Sequence, residues 1–423
     1  MRRSNRSQVP RLILLLMVPT LGLPVLSAAQ EYDPGRLYGR IRTTGGDVHE
    51  GFLRWDQNEG HWTDALDASK RIPSRYRREV RDLRATQAER PRGVTILGFR
   101  LPWNDDETPT SATAMIRLGH VRSIQVLDEG YALVTLKSGQ EQEFRASTTD
   151  FGRSGRGIFI GTGPAEELQF DWDEVDRVDL IEAPGGLESS FGHRLYGTVQ
   201  TAGGFEFTGW IAWDRDEIFE TDLLDGHEDG QRRSIAFEDI QSIERMSQRS
   251  SRVTQTNGGI LELSGTNDVN DGNRGITVSD AGLGRARIQW HEFAIVRFFE
   301  PPQMLPYDAF DGGHLLFGTV TREDGSQVTG EIRWDNDEAW SWEVLDGEWE
   351  GIEVDVELGL IEVIRRKTMR SAEITLRDGR AFDMRGSNDV NQENKGIVVR
   401  TADGAVVLVE WDEFAQVVFS SAG

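Results

Sequence analysis

The chain has 423 residues, with 47 Lys and Arg against 71 Asp and Glu, a formal net charge of −24, and no cysteine. Acidity of this strength opposes nucleic acid and anionic lipid surfaces at short range, and the missing thiol excludes disulfides, cysteine acylation and thiol nucleophiles. Core packing alone must hold the fold, and 12 Trp and 19 Phe supply the material for several small cores.

The first element in chain order is a processing signal. Arg2, Arg3, Arg6 and Arg11 form a cationic head, "LILLLMVPTLGLPVL" is an apolar stretch broken by Pro19 and Pro24, and Ser27–Ala29 supplies small residues for cleavage. This pattern predicts a signal peptide over residues 1–29 and places the rest in the periplasm or outside the cell. A membrane span needs about 20 uninterrupted apolar residues, so no transmembrane anchor is expected.

Three segments then share one template: "LYGRIRTTGGDVHEGFLRWDQNE" from Leu37, "LYGTVQTAGGFEFTGWIAWDRDE" from Leu195 and "LFGTVTREDGSQVTGEIRWDNDE" from Leu316. Each runs on to a Leu-Asp pair and an Ile/Val-spaced strand. A second template follows each time and closes on Trp172, Trp290 or Trp411. Trp290 and Trp411 are 121 residues apart, as are Asn267 and Asn388, so whole units were duplicated. Within the first template the period is 2. Leu53, Ile211 and Ile332 share a face with Trp55, Trp213 and Trp334, which predicts strands with one buried side. Gly45-Gly46, Gly203-Gly204 and Asp324-Gly325 fall where hairpins require positive φ. The expected fold is all-β: tandem small, strongly bent five-stranded barrels, arranged as three repeats of a two-barrel unit, with one short helical insertion in the first repeat. The boundaries are 30–181, 187–299 and 310–421.

The run V-x-T-x-G-G-x-x-x-x-G-x-I-x-W-D-x-D-E, followed by I-x-F-x-x-I-x-S-I, resembles the two halves of an Sm-like small barrel over about 50 residues of each first template. The resemblance implies a bent barrel. Sm-like proteins bind RNA through basic and polar loops, whereas the matching loop here carries Asp214, Asp216 and Glu217, or Asp335, Asp337 and Glu338. Only the shape carries over.

The insertion lies at about residues 70–113 and contains "KRIPSRYRREVRDLRATQAERPRG", with Ser74 as a helix cap and the helix ending before Pro91. Its positive charge suits either docking on the acidic body or contact with an anionic partner. Linkers at 182–192 and 300–313 carry Phe191, Tyr307 and Phe310, which suggests packing against neighbours.

Two near-identical loops, "GTNDVNDGNRGITV" and "GSNDVNQENKGIVV", place Asn267, Asp268, Asn270, Asn388, Asp389 and Asn391 as oxygen donors for a calcium ion. The same residues also suit Asx turns, and the first repeat keeps only Asp150 and Gly157 of the pattern. The Trp-Asp-x-Asp/Asn-Glu turns offer close carboxylates, as glycoside hydrolysis needs. Their threefold recurrence favours solvated turns after a buried Trp. Seven scattered His and the absence of a G-x-S-x-G elbow give no catalytic set. Trp62, Trp210, Trp340, Trp342 and Trp349, with Phe52, are candidates either for a sugar or peptide platform or for contacts between barrels.

The sequence therefore points to an exported, non-enzymatic β-repeat binding or scaffold protein of the cell envelope. Its partner would be a protein or surface polymer, not nucleic acid, and no cofactor is implied beyond the candidate calcium. The competing reading is a calcium-dependent polysaccharide-binding or polysaccharide-cleaving protein.

Overall fold

The computed structural model describes residues 33–88, 109–163, 166–187, 189–301 and 304–420. The expected signal peptide and residues 89–108 of the insertion lie outside these. Among the described residues the fold is all-β with one α-helix, α1 (Ser74–Ala88), and its strands form two antiparallel sheets of ten and twenty strands, neither closed. Among the described residues no helix is long and apolar enough to cross a membrane.

The first repeat contributes β1 (Tyr38–Thr43), β2 (Val48–Trp55), β3 (Ala65–Arg71), β4 (Ser111–Arg117), β5 (Val121–Asp128), β6 (Tyr131–Leu136), β7 (Glu141–Arg145), β8 (Ile158–Gly163), β9 (Glu166–Phe170) and β10 (Val175–Leu180). Their order is β4-β3-β7-β6-β5-β10-β1-β2-β8-β9. The same ladder recurs in β11–β20, from Tyr196 to Phe298, and in β21–β30, from Phe317 to Phe419.

This order departs from the expected one barrel per template. β1 pairs with β10, and β2 with β8, so strands of the first template take partners from the second. A period-2 pattern says which face of a strand is buried but does not say which strand lies beside it. The interleaving accounts for two glycines of the template. A Cβ on Gly39, Gly197 or Gly318 would collide with the carbonyl oxygen of Asp179, Arg297 or Val418. A Cβ on Gly51, Gly209 or Gly330 would collide with that of Gly161, Ser279 or Arg400.

Each repeat wraps its own tryptophan. Trp55, Trp213 and Trp334 are buried and donate Nε1–H to the carbonyls of Asp150, Asp268 and Asp389 at 2.8, 2.9 and 3.0 Å. Repeats two and three are joined into one sheet where β19 (Gly284–Ile288) pairs with β24 (Ile352–Glu357). The linkers pack as their aromatic content suggests: Phe191 stacks on Phe219, Tyr307 lies on Trp62, and Phe310 meets His120 edge-on.

Helix α1 begins at the expected Ser74 and docks on the third repeat. Val80 and Leu83 sit on Val398, Val406 and Leu408. Glu79 takes Arg333 and Arg400 at 2.9 and 2.8 Å, Arg84 reaches Glu410 at 2.8 Å, and the Arg333 guanidinium covers Tyr76 at 3.9 Å. The described part of the insertion thus docks on the third repeat through apolar contacts, Glu79 and Arg84.

If the glycine contacts set the sheet, Gly330→Ala will destabilise the protein by about 1–3 kcal/mol through forced backbone displacement. Gly45→Ala, with nothing nearer than 3.6 Å to the added methyl, will stay within about 0.5 kcal/mol. Urea unfolding of both variants checks this, and equal midpoints would reject it.

Candidate functional site

The site is built from the tight turn after each core tryptophan. Asp56 and Gln57 have φ of 44° and 70°, Asp214 and Arg215 48° and 72°, and Asp335 and Asn336 43° and 65°. Two successive left-handed residues make the primed hairpin turn, and Asp and Asn tolerate that region better than other side chains. The turn closes with a bridge from Trp55 to Glu59, Trp213 to Glu217 and Trp334 to Glu338.

The turn is not solvated, contrary to the sequence expectation. Asp56, Asp214 and Asp335 are 1, 0 and 2 % exposed, and Glu59 and Glu338 are 3 and 7 % exposed. The three aspartates turn inward because the second template supplies their donors. Arg156 N–H donates to Asp56 Oδ1 at 2.5 Å, and the backbone N–H groups of Arg274 and Lys395 do the same for Asp214 and Asp335. Asn267 and Asn388 Nδ2 donate to the second oxygen of Asp214 and Asp335. In the first repeat the Thr149 hydroxyl donates to Asp56 instead, so that loop works without the asparagine.

The six residues expected to hold calcium mostly serve the backbone. Asn270 and Asn391 Oδ1 accept the N–H of Gly272 and Glu393 at 2.7 and 2.6 Å, which are Asx turns. Asp268 and Asp389 Oδ2 accept the N–H of Asp225 and Asp346 at 2.7 and 2.9 Å, as Asp150 does for Asp67 at 2.6 Å. Among the described residues, two clusters gather three carboxylates within 4.8 Å: Asp214, Asp216 and Glu217, and Asp335, Glu338 and Asp389. Only Asp389 belongs to both the expected set and a gathered cluster.

Crowded burial shows in proton affinity. Burial, then the Asp67 charge, pushes Asp150 up to about 7. Burial, then Asp216, pushes Glu217 up to about 9, and burial raises Glu59 well above the usual carboxylate range.

The tryptophans expected as a platform are packing residues. Trp62, Trp210 and Trp342 are 0, 4 and 1 % exposed. Trp210 stacks on His61 of the first repeat, with centroids 4.0 Å apart, and Trp342 donates Nε1–H to Gln140 at 3.0 Å. Trp349 stacks on Phe382 at 4.7 Å and meets Phe207 of the second repeat edge-on. Trp340 is half-buried and packs against the core of the first repeat. Phe52, 5 % exposed, is covered as well.

Sequence reading missed the cations that join the repeats. Asp64, Asp222 and Glu343 occupy one position in the three templates. Each accepts two backbone N–H groups of its own turn: Gly60 and His61 at 2.9 Å, Ile218 and Phe219 at 2.7 and 2.9 Å, and Ala339 and Trp340 at 2.5 and 2.8 Å. Each also takes a cation from another repeat: Arg194 at 3.1 Å, Arg54 at 2.7 Å and Lys70 at 2.7 Å. Arg285 of the second repeat joins the other two by pairing with Asp67 at 2.6 Å and Asp355 at 2.9 Å. The available signal was positional, since Arg36 and Arg194 precede the same template leucine.

Between the first and second repeats lies a cleft of about 310 Å³, lined by Phe159, Glu167, Phe191, Asp216, Glu217 and Leu223 among others. β9 is registered only with β8 here, and β14 (Gln231–Ala236) only with β13 (Leu223–Glu228), among the described residues. In the repeat order, β9 and β14 correspond to β19 and β24, which do pair.

Removing one partner of a buried ion pair strands the other charge. Arg194→Ala, which leaves Asp64 at 2 % exposure without its guanidinium, will cost about 3–5 kcal/mol in urea unfolding; a loss below about 1 kcal/mol would show that the pair does not join the repeats. A second expectation concerns pH. The folded chain keeps the protons of Asp150 and Glu217 after the unfolded chain has released them, so stability falls as pH rises from 3.8 and 4.5 through about 7 and about 9. Glu217→Gln removes its share, so thermal scans across this range will show a shallower decline than in the parent protein, and an unchanged slope would contradict the assignment.

No protein-family model, curated protein or solved structure matches this chain, so the residues and geometry above carry the whole functional reading.

Proposed function

We propose that this chain is an exported, non-enzymatic binding or scaffold protein of the cell envelope, recognising another protein or a surface polymer through the cleft between its first two repeats. The observation that carries this reading is the unequal treatment of equivalent strand edges. The chain seals one junction by pairing β19 with β24 and, among the described residues, leaves the corresponding outer edges of β9 and β14 without a partner. Unpaired edges present rows of backbone donors and acceptors to an extended segment. The cleft adds apolar contacts from Phe159, Phe191 and the 53 % exposed Leu223, beside the exposed carboxylate of Glu167. The cleft therefore favours a peptide strand over a sugar chain.

The recurrence of the acidic turn supports a non-enzymatic role, because its carboxylates accept structural hydrogen bonds in all three repeats. The barrel element of the reading also has support, in modified form. β4 runs into β5 through the 3-10 turn Leu118–His120, and β9 into β10 through Trp172–Glu174. The outer strands of the groups β4-β3-β7-β6-β5 and β10-β1-β2-β8-β9 are therefore held one turn apart, which bends each group of five towards a small barrel drawn from both templates.

A photo-crosslinking residue at position 223, placed in the tagged protein and expressed with its signal segment, will capture one discrete envelope partner. The same residue at Val48, equally exposed at 56 %, will not. Equal capture at both positions, or none at 223, would overturn the assignment to this cleft.

A further inference from the structure

We propose that the third repeat holds one hard divalent cation, of the calcium type, between the carboxylates of Asp335, Glu338 and Asp389. Oxygens of the three lie within 4.8 Å of one another and all three residues are buried. A cation with oxygen ligands at about 2.3–2.6 Å spans such a group. The positions are set in advance by the fold. Asp335 lies in the primed turn and Glu338 closes it, and Asp389 is held through its carbonyl to Trp334 and through Oδ2 to the Asp346 N–H.

The second observation is an unpartnered oxygen. Glu338 is 7 % exposed, its Oε1 faces Lys70 Nζ at 3.6 Å, and Oε2 is enclosed with no hydrogen-bond donor. A buried carboxylate oxygen without a donor carries its full desolvation cost, which a bound cation removes. Asp335 already accepts from Lys395 N–H and Asn388 Nδ2, yet each carboxylate oxygen keeps a second lone pair for a metal.

Charge balance singles out the third repeat. In the second repeat the Arg274 guanidinium pairs with both Asp214 and Asp216. Lys395 stands at that place in the third; its backbone N–H donates to Asp335, and its ammonium acts on Asp335 only as a charge at longer range. Lys70 approaches from the other side, but it is bonded to Glu343 at 2.7 Å and shared with Asp337 at 3.6 Å. The site differs from the one the loop sequence suggested, since Asn388 donates to Asp335, Asn391 accepts a backbone N–H, and the turn acids take their place.

The test uses the full chain, stripped with chelator and titrated with calcium chloride by calorimetry. Terbium luminescence excited through Trp334, the neighbour of Asp335, gives a second readout. One saturable equivalent per chain is expected. Glu338→Gln should weaken it at least ten-fold while keeping the native far-ultraviolet circular dichroism. Lys395→Arg, which restores the guanidinium of the second repeat, should weaken binding by filling the site from within. It also serves if Glu338→Gln fails to fold. No saturable binding by the parent protein would mean that the three acids share protons instead, and binding unchanged in Lys395→Arg and in folded Glu338→Gln would place the ion elsewhere. Either result overturns the proposal.

Discussion

Three equivalent carboxylates, Asp64, Asp222 and Glu343, anchor the molecule, each closing a turn of its own repeat and holding a cation sent by another. A buried charge is tolerated only when its lone pairs are answered from several sides, and here the answers come from two repeats at once. The turn and the junction are consequently one structure. Loss of the incoming cation exposes the turn to the full cost of an unpaired anion, which ties local hairpin geometry to the packing of whole repeats.

The second layer of organisation is the exchange of strands between templates. Because β2 lies beside β8, the acidic turn after β2 faces the loop before β8. That proximity lets a backbone N–H and an Asn or Thr side chain meet Asp56, Asp214 and Asp335. The two most conspicuous motifs of the chain, the Trp-Asp turn and the Asn/Asp-rich loop, are thus halves of one constellation. Their recurrence follows from the recurrence of the fold.

Identical repeats have nevertheless been joined in unlike ways. One junction is a continuous ladder through β19 and β24. At another, α1 lies against β28 (Ile397–Arg400) and β29 (Val406–Val409), while Arg117 of β4 meets Glu357 at 2.9 Å. The third is closed on one side by His61, Trp210 and Arg194 and open on the other as a cleft. Position 156/274/395, written Arg, Arg, Lys, varies in the same spirit and leaves the third acid cluster short of a guanidinium. Specialisation in this protein lies in the junctions and in single substitutions within a common scaffold.

Strand character, the three-fold duplication, the hairpin glycines, the core tryptophans and the start of the inserted helix at Ser74 were all legible in the order of residues. Each follows from local periodicity, turn chemistry or repetition, which do not depend on what lies across the sheet. Ladder order was not legible, because alternation marks the buried face of a strand and is silent about its neighbour. Nor was the burial of Asp56, Asp214 and Asp335, since an acid in a tight turn looks solvated until a distant loop delivers its donors. The pairing of Lys70 with Glu343, of Arg194 with Asp64 and of Arg285 with Asp67 spans repeats. Such contacts come into being only when separately folded faces are brought together, so long-range packing had to settle them.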